Sequence, residues 1–380
     1  MGPLQGFRIV EIAGIGPGQF CGMLLADMGA QLIRIDRIGD PAPGVSLPAR
    51  YNLMNRSRPA IAVDLKQQAA VDFVLELCDT ADALFEGFRP GVMERLGLGP
   101  DECSKRNQRL VYGRMTGWGQ SGPLARTAGH DPNYIAITGA LHAIGEKDRL
   151  PSLPLNLVGD FGGGGTFLAI GLLAAMLEAS HSGQGQVVDA AMTDGAASLM
   201  TLFHGLHAAG MWRQQRGSNF LDGGAPFART YRTRDNKAVV VCAIENRFFQ
   251  ALLEVLGITD ISRTDQYEES KWPEHAAKLR HAFRQKSRSE WEQVFAGSEA
   301  CFAPVLSMTE AVGHPHNVSR KTYVEIDGVE QPAPAPRFSK TPSEIQCGPQ
   351  ACGLQGREAL AAWGISPERI AQMMQQGTLK

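Results

Sequence analysis

The chain opens on a short, β-branched and half-apolar run, Arg8 to Ala13, which predicts a strand. A tight turn, Gly14 to Gly18, follows, and Phe20 to Met28 carries helical spacing closed by Gly29. Gln31 to Ile35 predicts a second strand ending at Asp36, so the first forty residues read as a βαβ unit. The pattern recurs with a helix over Val71 to Cys78 and strands over Ala83 to Glu86 and Leu110 to Met115. Strands alternating with helices over this length predict an α/β fold, a Rossmann-like large domain built on a parallel sheet.

The middle of the chain changes character. A long apolar helix is predicted from Thr166 to Ser180, then a strand around Gln186 to Ala190 and a helix over about Gly195 to Ala209. Phe227 to Thr233 and Ala238 to Ile244 predict a hairpin across Asp235-Asn236, followed by charged helices to about Gly297. Pro-rich Gln331 to Pro336 marks a return path, and Gln355 to Trp363 with Pro367 to Gln375 reads as a helical hairpin. The expected organisation is a large domain of residues 1–190 and 320–380, a linker at 191–226, and a smaller α+β domain at 227–315.

Composition narrows the class. The 380 residues carry 37 Lys+Arg against 39 Asp+Glu, too balanced for a chain that neutralises nucleic-acid phosphates. Hydrophobic residues at 43% and charged residues at 20% are ordinary globular values. The seven cysteines, 21, 78, 103, 242, 301, 347 and 352, are scattered without a C-x-x-C pair, which suggests a reducing compartment and no metal site. The most apolar run, Phe167 to Leu177, falls short of the ~20 residues that span a bilayer. With no secretory signal at the N-terminus, these features predict a soluble, cytoplasmic protein.

Gly14-x-Gly16-x-Gly18 after a strand, with Asp36 downstream, invites a dinucleotide reading. The spacing fails: position 19 is Gln, position 21 is Cys, and Pro17 lacks the N–H that a phosphate cradle uses. The loop is expected to be a scaffold turn.

Other segments are more specific. They are Gly129-His130-Asp131-Pro132-Asn133-Tyr134, Leu155 to Gly165 (LNLVGDFGGGG), and Asp222-Gly-Gly-Ala-Pro226 followed by Ala243-Ile-Glu245. With Ile12 to Gly18, Asp64-Leu-Lys66 and Arg89-Pro-Gly-Val92, they resemble the α-methylacyl-CoA racemase branch of the family III CoA-transferase superfamily. The resemblance runs from about residue 3 to residue 340. It implies an interlocked homodimer with an active site at the boundary between protomers. An acyl-CoA thioester is the implied substrate, with CoA arriving as part of it and no separate cofactor.

Racemising the carbon beside a thioester removes a proton from one face and returns one to the other. Two acid/base groups must therefore flank the carbon, with donors aimed at the enolate oxygen. By resemblance, His130 serves one face and Asp160 the other, and Glu245 orients and charge-stabilises His130. Asp160 precedes Phe161 and four glycines ahead of the predicted helix from Thr166, so backbone N–H groups are expected to be free there for an enolate oxygen. Asp131 either supports the site from behind or caps a helix. The family positions give Arg37 to the adenine nucleotide and Val63, Asp64, Leu65, Lys66, Gly87, Phe88 and Arg89 to the CoA groove, with Arg95 nearby. Gly129, Asp131, Asn133 and Tyr134 belong to the segment that carries the pantetheine end to the reacting carbon.

Several residues read as structural. His204 and His207 share a helix face without a third ligand, His314-Pro-His316 predicts a loop, and Cys242 lies in a strand where core packing is expected. Two departures stand out: Asn246-Arg-Phe-Phe249 replaces the Pro-Gln-Phe-Tyr common in racemases, and Pro132 follows Asp131 where a β-branched residue is usual. The alternative within the superfamily is a CoA-transferase in which Asp160 is the nucleophile of a mixed anhydride.

Overall fold

The computed structural model describes residues 2–39, 47–351, 353 and 355–380; Cys352 lies outside the described residues. The chain forms two compact units, one of Met1–Thr138, Leu155–Leu199 and Lys321–Lys380, the other of Gly139–Pro154 and Met200–Arg320. The segment expected as a linker, 191–226, is thus divided between them, and 139–154 joins the second unit.

The first unit is built on six parallel strands: β1 (Arg8–Ile12), β2 (Gln31–Arg37), β3 (Ala60–Val63), β4 (Ala83–Glu86), β5 (Val111–Thr116) and β6 (Val187–Ala191). Their order is β3-β2-β1-β4-β5-β6, the Rossmann arrangement. Strand β3, not anticipated from the sequence, is a run of four residues, Ala-Ile-Ala-Val, too short for a period to declare itself. Side chains alternate between the two helix layers as the pleat requires. From β1, Ile9 packs with the Pro17–Asp27 helix and the Thr166–Ser182 helix. Val10 and Ile12 pack with the Gln68–Cys78 helix and the C-terminal helices Gly356–Ala362 and Pro367–Gln375. Both faces are covered, so the strands read as apolar runs.

The edge of the sheet at β3 is also closed. Ala62 and Lys380 exchange backbone hydrogen bonds of 3.1 and 2.9 Å, so the last residues pair with a strand edge that would otherwise stand open. A buried Arg56–Asp27 ion pair, 2.5 Å, ties the first helix to the hairpin of β10 (Tyr323–Ile326) and β11 (Val329–Pro332), because Arg56 also donates to Gln331 and to the Pro332 carbonyl.

The long apolar helix differs from its predicted form. It begins at Leu157 and continues without a break to Ser182, 26 residues, with π-helical spacing over Leu157–Gly165. By length and composition it could cross a bilayer, so the brevity of the apolar run is no longer an argument against one. Leu168, Leu172, Ala175 and Met176 are nonetheless buried in the first unit's core, while Ile170 and Leu177 face outward. The expected 195–209 helix is two, Met192–Leu199 and Thr201–Ala208, interrupted at Met200.

In the second unit, β7 (Ala228–Arg232), β8 (Ala238–Cys242) and β9 (Phe302–Val305) form an antiparallel sheet. Asn236 takes the left-handed φ of 60° that the predicted hairpin turn calls for. Phe227, Phe249, Phe283 and Trp291 fill the core between this sheet and its helices. His316 lies in the Pro315–Arg320 helix rather than a loop, and Cys242 is exposed rather than core.

The glycines at the start of the long helix allow backbones to touch. A Cβ on Gly195 would strike the Gly163 carbonyl, which flexible side chains cannot relieve. Gly195→Ala is therefore expected to lower stability by about 1–3 kcal/mol in urea denaturation, whereas an alanine at Gly205, which meets nothing within 4 Å, is expected to leave it unchanged or raised.

Candidate active site

The topology gathers the predicted residues of the first unit at one end of its sheet; Glu245 belongs to the second unit. In the order β3-β2-β1-β4-β5-β6, the chain reverses direction between β1 and β4, and ligands of such sheets bind outside the carboxyl ends of the strands at that point. Arg37 ends β2 opposite Val63, which ends β3 and leads to Asp64, Leu65 and Lys66. Gly87, Phe88 and Arg89 follow β4, and Arg95 closes the short Val92–Arg95 helix. Arg37, Lys66, Arg89 and Arg95 are all exposed, as anion-binding side chains need to be, whereas Val63 is buried and Leu65 packs on the core.

His130 and Asp160 are brought together through Asp131. His130 is exposed at the N-cap of the Asp131–Ala136 helix, and its N–H donates to Asn133 Oδ1 at 3.0 Å. Asp131, the first helical residue, is buried, and its Oδ2 accepts the Asp160 N–H at 2.7 Å. Of the two roles open to it, Asp131 therefore takes the supporting one, since the cap itself is His130. Gly159 leaves the room: a Cβ there would lie 2.5 Å from Asp131 Oδ2.

The Asp160 carboxyl is half-buried, and burial pushes its pKa above the ordinary range. A hydrogen bond from Asn156 Nδ2, 3.1 Å to Oδ2, opposes that rise; the Asp131 charge adds to it, and His130 pulls it down. Both Asp131 and His130 therefore lie within electrostatic reach of Asp160. The loop after β1 closes the other side, since a Cβ on Gly16, at φ 67°, would come 2.8 Å from Asp160 Oδ2. This glycine turn thus borders the carboxylate.

One expectation needs correcting. The amides of Asp160 and the residues after it are not free: that of Asp160 is taken by Asp131, that of Phe161 bonds the Asn156 carbonyl at 3.2 Å, and the following residues continue the helix. The four glycines instead admit neighbours: Gly164 meets Pro17 and Met192, and Gly165 meets Pro17 and Phe20.

Tyr134 and Glu86 complete the surroundings. The Tyr134 hydroxyl donates to the Gly129 carbonyl, and its ring stands edge-on to Trp118 at 4.8 Å. Gly129 must lack a side chain because a Cβ would come 2.7 Å from that ring. Glu86, at the end of β4, accepts the Phe88 N–H at 2.6 Å and an Arg114 N–H at 3.3 Å, so it shapes the Gly87–Arg89 turn from below. Arg114 also pairs with Glu94 at 2.6 Å. Burial carries the Glu86 carboxyl up to about 7 despite these donors. The sequence gives no sign of Glu86, whereas Gly16, Asn156 and Gly159 lie inside the segments singled out there, without a role of their own. Glu245 belongs to the second unit, exposed at the start of the Asn246–Leu256 helix.

The carboxyl edge of this α/β sheet thus carries exposed cations beside titratable side chains, where ligands of such folds bind. CoA-transferase family III matches residues 4–354, and the chain belongs to that family. Within it, the chain is similar to the alpha-methylacyl-CoA racemase of Mus musculus, 41% identical over 97% of this chain and 96% of the relative. The alpha-methylacyl-CoA racemase of Homo sapiens is 40% identical over the same shares. A crystal structure of a CAIB/BAIF family protein from Brucella suis shares the fold, with a TM-score of 0.79 and 22% identity over 95% of this chain and 99% of that one.

Asp131→Ala removes the acceptor of the Asp160 amide and is expected to lower stability by about 1–3 kcal/mol. Gly159→Ala, which displaces the same carboxylate, is expected to cost a similar amount; urea denaturation of both variants checks this. Glu86 gives a pH signature. Its folded-state pKa of about 7 exceeds the ordinary 4.5, so the native state holds a proton that the unfolded chain has lost. Its contribution is fully favourable below about pH 4.5 and is lost as pH rises through 7, by up to about 3 kcal/mol. Urea midpoints between pH 5 and 8 are expected to fall in the wild type and to slope less in Glu86→Gln.

Proposed function

We propose that this protein interconverts (2R)- and (2S)-2-methylacyl-CoA thioesters by 1,1-proton transfer through an enolate. The observation that carries the reading is the joining of His130 and Asp160 through Asp131 at the carboxyl edge of the sheet. The similarity to two racemases over nearly the whole chain supports it.

Imidazole and carboxyl groups both give and take protons, and burial raises the proton affinity of Asp160, so each can be base in one direction and acid in the other. One group takes the α-proton, the carbon becomes planar, and the other returns a proton to the opposite face. Two protons move and no electrons leave the substrate, so the reaction balances without a redox partner. The resemblance adds Glu245 as charge partner of the imidazole. Arg37, Lys66, Arg89 and Arg95 supply cations for the phosphates of CoA. The alternative, acyl transfer through Asp160 as nucleophile, has no use for an imidazole within electrostatic reach of that carboxylate.

We also propose that the protein works as a homodimer. Leu157, Ile170 and Leu177, 56–62% exposed along the outer face of the long helix, form an apolar surface that a second copy would cover.

The deciding assay incubates either enantiomer of a 2-methylacyl-CoA in deuterated water without an acceptor acid. Deuterium entering the α-carbon with loss of optical purity is the expected result; acyl transfer to an added acid without exchange would establish the alternative. His130→Ala and Asp160→Asn are each expected to slow racemisation by about 10²–10⁴. Each variant should still exchange the α-proton of the one enantiomer that its remaining base faces. Near-native turnover in either variant would rule out the two-base assignment.

A further inference from the structure

Two cysteines of the second unit face each other across its sheet. Strands β8 and β9 are antiparallel, and their ladder ends with Val241 opposite Phe302. Just beyond it the Cys242 N–H donates to the Cys301 carbonyl at 3.0 Å, and Cys301 turns out of the strand with φ 50°. A cross-strand backbone bond of this kind sets the two Cα atoms about 5.5 Å apart. That spacing lies inside the roughly 4.4–6.8 Å that a disulfide bridges.

Both cysteines are free and exposed. Each thiol lies in the field of its surroundings: partial burial pushes the Cys301 thiol up, and the Glu245 carboxylate and the Cys242 thiol add to that push. Another close pair among the described residues, Cys78 and Cys103, is fully buried in the first unit's core and closed to reagents. The exposed pair is therefore the place where a small oxidant finds two thiols at once.

The pair also adjoins a residue with a proposed role. Glu245 follows Cys242 by three positions. The intervening segment is held from the far side by Gln266, which donates to the Ala243 and Ile244 carbonyls at 2.9 and 2.7 Å, and by the Tyr267 hydroxyl, 2.7 Å from the Ile244 carbonyl. A covalent tie at Cys242 pulls on one end of that segment while the other contacts resist.

We infer that Cys242 and Cys301 form a dithiol modification site that closes to a disulfide when the protein meets a low-molecular-weight disulfide, and that closure slows turnover by shifting Glu245. One protein thiolate attacks the small disulfide, whose S–S bond breaks to release one small thiol and leave a mixed disulfide. The second protein thiolate attacks the protein-borne sulfur of that mixed disulfide and expels the second small thiol. Two electrons and two protons pass from the protein to the two small thiols. The effect on turnover rests on the racemase reading; the crosslink does not.

The test treats the full chain with excess oxidised glutathione at about pH 8, where a thiol is increasingly ionised. Remaining thiols are then alkylated, and intact mass and peptide mapping are read. The expected product has lost about 2 Da per chain, carries a linked peptide pair containing Cys242 and Cys301, and reverts with dithiothreitol. Cys242→Ser and Cys301→Ser should each keep a single glutathione adduct on the remaining cysteine. Glutathione on both cysteines of the wild type without the linked pair would overturn the site. Racemisation by the crosslinked wild type is expected to fall about tenfold or more, while Cys242→Ser given the same treatment keeps its rate. A crosslinked protein with unchanged turnover would overturn the effect on Glu245. If the reduced wild type does not racemise at all, the proposed function fails, and the mass reading still decides the crosslink.

Discussion

The hydrogen bond from the Asp160 amide to the buried Asp131 carboxylate is the contact on which the arrangement at the sheet's carboxyl edge depends. It joins two segments separated by 29 residues in sequence, one carrying His130 and the other carrying Asp160. Removing the acceptor would leave an amide donor without a partner, which costs more than the bond itself contributes. The same carboxylate raises the pKa of the acid it holds. Asp131 thus holds Asp160 in place and adds to the rise in pKa that burial begins, and Gly159 is the clearance that lets this neighbour in.

The parallel sheet explains why residues so far apart in sequence meet. Each parallel strand ends on the same side, and five of the six are followed there by a loop, while β6 runs straight into the Met192–Leu199 helix. Arg37, Val63 to Lys66 and Gly87 to Arg89 follow three successive strand ends, an arrangement suited to an extended ligand. Glu86 and Arg114 brace this edge from within, a buried carboxylate and a guanidinium whose partners lie on neighbouring strands. The requirement that buried charges be paired thus keeps the turns above them in register.

Much of this was legible in the sequence, for physical reasons that differ by element. Strands β1, β2, β4 and β5 were readable because they are apolar runs bounded by glycine and charge. Strand β3 was not, being four residues without a period. The Gly-His-Asp and Gly-Asp-Phe-Gly segments could be read as a site because they match a family, although nothing in their spacing says that Asp131 reaches Asp160. The start of the long helix was misplaced because four consecutive glycines ordinarily mark a loop. Here they persist in a helix, since each admits a neighbour that a side chain would exclude. Glu86 was invisible because its importance lies in burial, which a single acidic residue at a strand end does not declare.

The widened helical turn over Leu157–Gly165 has a geometric corollary. A π turn takes up one more residue than an α turn, so it acts as a phase offset between the buried helix below and the carboxylate above. Deleting any one residue from 162 to 165 would let the ladder revert to ordinary spacing while Leu168 and Leu172 stayed anchored in the core. Asp160 would then turn by about 100° around the axis relative to that core. An extra residue per turn, conventionally a defect, is in this chain the angular setting of its acid.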